Sequence, residues 1–127
     1  IKPSKTSGIS CSNNLFKNNE AIDATMAFSV RDGASRNVFE GCRAIAPKWA
    51  IIFMDTVEQG AQPSGFENTF KNCHFENIQA GGSVINYHYY TNRSSRASNN
   101  VFENLDKVKQ WLYEFVKNKL MPCCIFL

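Results

Sequence analysis

The sequence predicts an all-β solenoid, a parallel β-helix of about four coils closed by a C-terminal amphipathic helix. Three observations predict it. An Asn-x-Phe-x-Asn/Gly motif recurs at residues 14–18, 37–41, 68–72 and 100–104, and its phenylalanines Phe16, Phe39, Phe70 and Phe102 are spaced 23, 31 and 32 residues apart. Each repeat holds two apolar bursts separated by a turn, a short one as in 37–42 and a longer one as in 49–54. Period-two alternation in Phe28-Ser29-Val30-Arg31 marks a strand with one buried face. Repeats of this kind cannot bury their apolar face alone and must stack on their neighbours.

Taking each repeat phenylalanine as the origin, the residues three positions on are Asn19, Cys42, Cys73 and Leu105, and those five positions on are Ala21, Ala44 and Phe75. Continuing without a gap aligns Phe28, Ile51 and Gly82, then Val30, Phe53 and Val84, then Asp32, Asp55 and Asn86. Strands stacked at about 4.8 Å would turn these columns into ladders, with the four phenylalanines as an internal aromatic column. Asn18, Gly41, Asn72 and Asn104 share a column of residues that tolerate a left-handed backbone, so that column reads as a corner. The ungapped alignment puts both length differences late in the repeat, in 56–65 and 87–98, where two added segments would leave the same corner of adjacent coils.

After Leu105 the character changes. Val108, Trp111, Leu112, Phe115, Val116 and Leu120 keep the spacing of one apolar helical face over 106–120, with Asp106 as N-cap and Pro122 beyond the end. The chain therefore divides into coils over 1–105 and a helix with an apolar tail over 106–127. An open solenoid end exposes unpaired strand groups, and a helix laid across it covers them. The tail Cys124-Ile125-Phe126-Leu127 fits a prenylation signal. The competing reading is an apolar tail packed on the last coil.

Composition narrows the function classes. Hydrophobic residues make up 43% and charged residues 20%, enough for a packed core. A net charge of +3, with no dense basic stripe, argues against a nucleic-acid partner. No apolar run is long enough for a membrane helix and no leader is visible, so a membrane partner is not expected, while a start inside a repetitive array reads as a piece of a larger polypeptide. Five cysteines without a C-x-x-C pair suit reduced, buried thiols better than a disulfide framework or zinc site.

The Asn-x-Phe-x-Asn-Cys run at 68–73 resembles the right-handed parallel β-helix, pectin-lyase-like superfamily, over about residues 11–105. That grouping holds polysaccharide lyases, glycoside hydrolases and phage tailspikes. The resemblance implies an extended carbohydrate bound along the outer face of stacked strands. It also implies a trimer and a virion or extracellular setting if the likeness is to tailspikes. Right-handedness follows from it and from the usual crossover rule.

Two constellations carry candidate chemistry. Asp32 and Asp55, stacked on adjacent coils, would repel, and one would hold its proton while the other ionised, as glycoside hydrolysis requires. The pair would equally suit a calcium ion, the only cofactor the sequence suggests. An Asx-turn stack of Asp32, Asp55 and Asn86 explains the column without chemistry. The second constellation, Asn86, Tyr87, His88, Tyr89, Tyr90, Arg93 and Arg96, offers aromatic faces for sugar rings and forked donors for hydroxyl or acidic groups. The expected function is thus recognition of a polysaccharide, with hydrolase or lyase activity open. The alternative is a non-catalytic assembly module whose exposed aromatics bury against sister subunits.

Overall fold

The computed structural model describes residues 11–31, 33–54, 65–88, 99–105 and 124–126, with 87–88 and 124–126 as backbone only. Three strands build each of the first three coils. They are β1 (Leu15–Lys17), β2 (Glu20–Ile22) and β3 (Met26–Arg31), then β4 (Val38–Glu40), β5 (Arg43–Ile45) and β6 (Trp49–Met54), then β7 (Thr69–Lys71), β8 (His74–Glu76) and β9 (Ser83–His88). β10 (Asn100–Glu103) opens the fourth coil, and β11 (Cys124–Phe126) follows it. The sheets run β1-β4-β7-β10-β11, β2-β5-β8 and β3-β6-β9. Every strand pair is parallel. This is the three-sheet, all-parallel topology of a right-handed parallel β-helix.

The recurring motif builds the first sheet. Phe16 pairs with Phe39, Phe39 with Phe70 and Phe70 with Phe102. Their rings stack inside at centroid distances of 4.7, 4.3 and 5.7 Å. Face-to-face stacking is not the geometry isolated rings prefer. The parallel register imposes it, and Phe28 and Phe53 meet the column edge-on from the third sheet. Burying a ring fully, as at Phe39, Phe70 and Phe102, contributes roughly 1.5–3 kcal/mol.

The motif asparagines form a second internal column. Asn37, Asn68 and Asn100 are fully buried. Asn37 Oδ1 accepts from the backbone and side-chain amides of Asn14 at 3.0 and 2.9 Å. Asn68 Oδ1 accepts from both amides of Asn37 at 3.0 Å. Each buried Nδ2 also donates to a carbonyl of the coil before it: Asn37 to Cys11, Asn68 to Ala34 and Asn100 to Gly65. The ladder satisfies backbone groups at the bend into the first sheet, where strand pairing alone leaves them open.

Three columns of left-handed residues turn the chain. Asn13, Arg36, Glu67 and Asn99 form one; Asn18, Gly41, Asn72 and Asn104 the second; Asp23, Ala46 and Asn77 the third, all with φ between 48° and 63°. The second column is the corner its composition predicts. In the second coil this position is Gly41, and Asn18 Oδ1, on an exposed side chain, lies 2.5 Å from where a Cβ would sit.

The ungapped alignment fails in the third coil. Three residues link β2 to β3 and β5 to β6, but six link β8 to β9. Gln79 donates to the Pro47 carbonyl, Gly82 folds back onto the Gln79 carbonyl, and Ser83 rejoins the ladder at Lys48. A tight turn over Ala80-Gly81-Gly82 thus absorbs three of the added residues early in the coil. Ile51 therefore pairs with Ile85, and Phe53 with Tyr87. Gly82 and Val84 do not occupy the columns assigned to them from sequence, and the late added segment is shorter than that alignment implied.

The predicted helix over 106–120 lies outside the described residues. Past it, Cys124, Ile125 and Phe126 pair with Asn100, Val101 and Phe102. The tail forms a rung of the first sheet, as the packed-tail reading requires. Backbone engaged in a ladder is a poor prenylation substrate, which must be extended into the enzyme.

Candidate functional site at the end of the third sheet

The third sheet has the longest strands, six residues each. Phe28 and Val30 face inward with Ile51, Phe53 and Ile85. Ser29, Ile52 and Asn86 share the next column, on the opposite face. Asn86 therefore stacks on Ile52 rather than continuing an Asp32–Asp55 column. The physical reason is the three-residue turn before β9, which shifts every later residue of that coil.

At the C-terminal end of the sheet, Arg31 pairs with Met54 and Met54 with His88. Segments 55–64 and 89–98 follow directly from these paired residues. Downstream, Phe66 bridges to Ser35, and Asn37, Asn68 and Asn100 realign the coils in the ladder. The described residues on either side of both added segments thus lie on adjacent coils. Tyr89, Tyr90, Arg93, Arg96, Asp32 and Asp55 lie outside the described residues. Tyr87 and His88 are placed as strand backbone, with Asn86 half-buried beside them.

Sequence reading missed Arg31 at this end. Its buried Nε has no hydrogen-bond partner among the described residues. A buried donor of this kind carries a desolvation penalty until an acceptor meets it. The alternation that marked Arg31 as outward was legible, but its burial was not.

A second polar group lies on the outer face of the second sheet. Arg43 donates to Glu76 Oε1 at 2.8 Å and reaches Glu20 Oε2 at 3.5 Å, spanning three coils. His74 Nε2 lies 3.1 Å from Glu76 Oε2. The His74 hydrogen bond and then the Arg43 guanidinium hold the Glu76 carboxyl below its ordinary value. These are solvent-exposed pairs in a high-dielectric setting, and they brace stacked strands more than they create reactivity. Glu67 occupies a left-handed corner and lies 3.7 Å from Arg36.

Cys42 and Cys73 stack inside the coil as reduced thiols. Cys73 donates to the carbonyls of Lys71 and Phe39, and burial pushes its pKa up to about 12. Cys73 points inward while His74 points outward to Glu76, so the adjacent pair forms no dyad. Among the described residues no group of three or more His, Cys, Asp or Glu could hold a metal ion. No protein-family model matches the sequence, and no curated protein and no solved structure matches it either.

Proposed function

We propose that this chain is a carbohydrate-recognising β-helix module whose glycan site lies at the C-terminal end of the third sheet. The Met54–His88 pairing carries the reading, because segments 55–64 and 89–98 follow in sequence from these two paired residues of a parallel sheet. The second segment brings Tyr89, Tyr90, Arg93 and Arg96 directly after Tyr87 and His88. Aromatic rings suit sugar faces, and Arg31 supplies an Nε donor with no acceptor among the described residues. Asp32 and Asp55 each follow one residue of the Arg31–Met54 pair, so they are the acids of choice if the module cleaves its glycan or holds calcium.

The test is a glycan array covering neutral and acidic polysaccharides, repeated with Tyr89→Ala/Tyr90→Ala and with Arg31→Ala. Binding that both variants weaken supports the reading, and no binding to any glycan overturns it. If a bound glycan is cleaved, Asp32→Asn and Asp55→Asn should abolish turnover without abolishing binding. The competing reading, an assembly module that buries the same aromatics between subunits, requires the isolated chain to self-associate in sedimentation and those variants to disperse it.

A further inference from the structure

We infer that the N-terminal end of the solenoid is a stacking surface for one further parallel coil of the same kind, preceding the first in the same polypeptide. The asparagine ladder is directional. Each asparagine Oδ1 accepts the backbone N–H of the equivalent residue one coil earlier, as Asn37 accepts from Asn14, Asn68 from Asn37 and Asn100 from Asn68. Each buried asparagine Nδ2 reaches back to a carbonyl three residues before that donor. Asn14 makes the forward half of this pattern only. Its Oδ1 has no partner among the described residues, and its side chain is exposed.

The other columns break at the same level. Leu15, Ile22 and Met26 are the exposed large hydrophobics among the described residues, at 61%, 58% and 41%. All three belong to the first coil, one in each sheet. Their stacked partners Val38, Ile45 and Trp49, with coils on both sides, are half-buried. Phe16 is likewise half-buried where Phe39, Phe70 and Phe102 are buried. Among the described residues β1, β2 and β3 are the terminal strands of their sheets, so three edges and an unfilled ladder acceptor face one way.

The chemistry of the surface selects its occupant. The Asn14 acceptor needs a backbone N–H from a strand running parallel to β1. A second copy related by a two-fold axis would present antiparallel strands there. A second copy stacked head to tail would meet an uneven end, because among the described residues β11 extends the first sheet two rungs past β8 and β9. A full coil takes at least the 23 residues that separate Phe16 from Phe39. What fits is a complete preceding coil in the same polypeptide. This does not depend on the glycan reading.

The test duplicates residues 11–33 in tandem within the full chain, adding one coil ahead of the original first coil. Amide hydrogen exchange is then followed at 15–17 and 20–22 of the original coil, in both chains. Exchange slowed at least about tenfold, to the level of β4 and β5, is the expected result. Asn14→Ala should change the melting temperature little in the original chain, and as much as Asn37→Ala does in the extended one. Unchanged exchange overturns the proposal, as does an extended chain that fails to fold where the original is folded. Slowing of the same amides with rising concentration of the unextended chain places a second copy there and overturns it too.

Discussion

Asn68 donates its backbone amide and its side-chain amide to one oxygen of Asn100, at 2.9 and 3.1 Å. Both side chains are fully buried, 32 residues apart in sequence. Replacing Asn68 by alanine removes the acceptor for two Asn37 donors and leaves a buried backbone N–H unsatisfied. Asn68→Ala should destabilise by about 3 kcal/mol, from the lost bonds and the stranded donors together. Asn14→Ala, at the exposed end of the ladder, should cost well under half of that by denaturant unfolding.

The aromatic column predicts a gradient of the same kind. Phe70 is flanked by Phe39 and Phe102 and touched edge-on by Phe53. Phe70→Ala should destabilise by roughly 3–5 kcal/mol, the usual range for emptying a buried aromatic site. Phe16, stacked on one side only, should lose clearly less in the same thermal melt.

Gly82 tests the turn that shifts the third coil. A Cβ there would run into the carbonyl oxygen and carbon of Lys48, which are backbone and cannot swing aside. Gly82→Ala should lower stability by about 1–3 kcal/mol, as overpacking does. Gly81→Ala should strain the backbone at φ +75° without such a clash, and deleting 80–82 should be tolerated because the first two coils make the same corner with three residues.

Two ionisable groups set opposite pH limits. Glu76 has its pKa lowered by His74 and Arg43, so its contribution is present above the ordinary carboxylate value near 4.5 and is lost as pH falls through the lower folded value. Glu76→Gln should flatten that acid-side loss in urea melts. Cys73 runs the other way. Burial raises it from 9.0 to about 12, so its contribution is complete below pH 9 and is lost as pH rises toward 12. Cys73→Ala should remove that alkaline slope, and the folded thiol should resist alkylation at pH 8 while the unfolded one reacts.

Several features of the fold and part of the site are legible in the residues themselves. Phe16, Phe39, Phe70 and Phe102 announce the stacking period because identical side chains at one level of a solenoid must meet. Asn18, Gly41, Asn72 and Asn104 announce a corner because few other residues tolerate a left-handed backbone. The Asn-x-Phe spacing also places both residues of each motif on the inner side, since they are two apart on a strand. What sequence spacing counts is the total length of each coil. It does not say where along the coil the extra residues leave the ladder. Only the inter-coil hydrogen bonds decide that, by returning Ser83 to Lys48 and so setting Asn86 against Ile52. The same bonds decide the polarity of the asparagine ladder and draw Cys124, Ile125 and Phe126 onto β10, although Cys124 replaces the motif asparagine. Parallel pairing is a contact between residues some two dozen or more positions apart, and its register minimises unpaired backbone across whole coils.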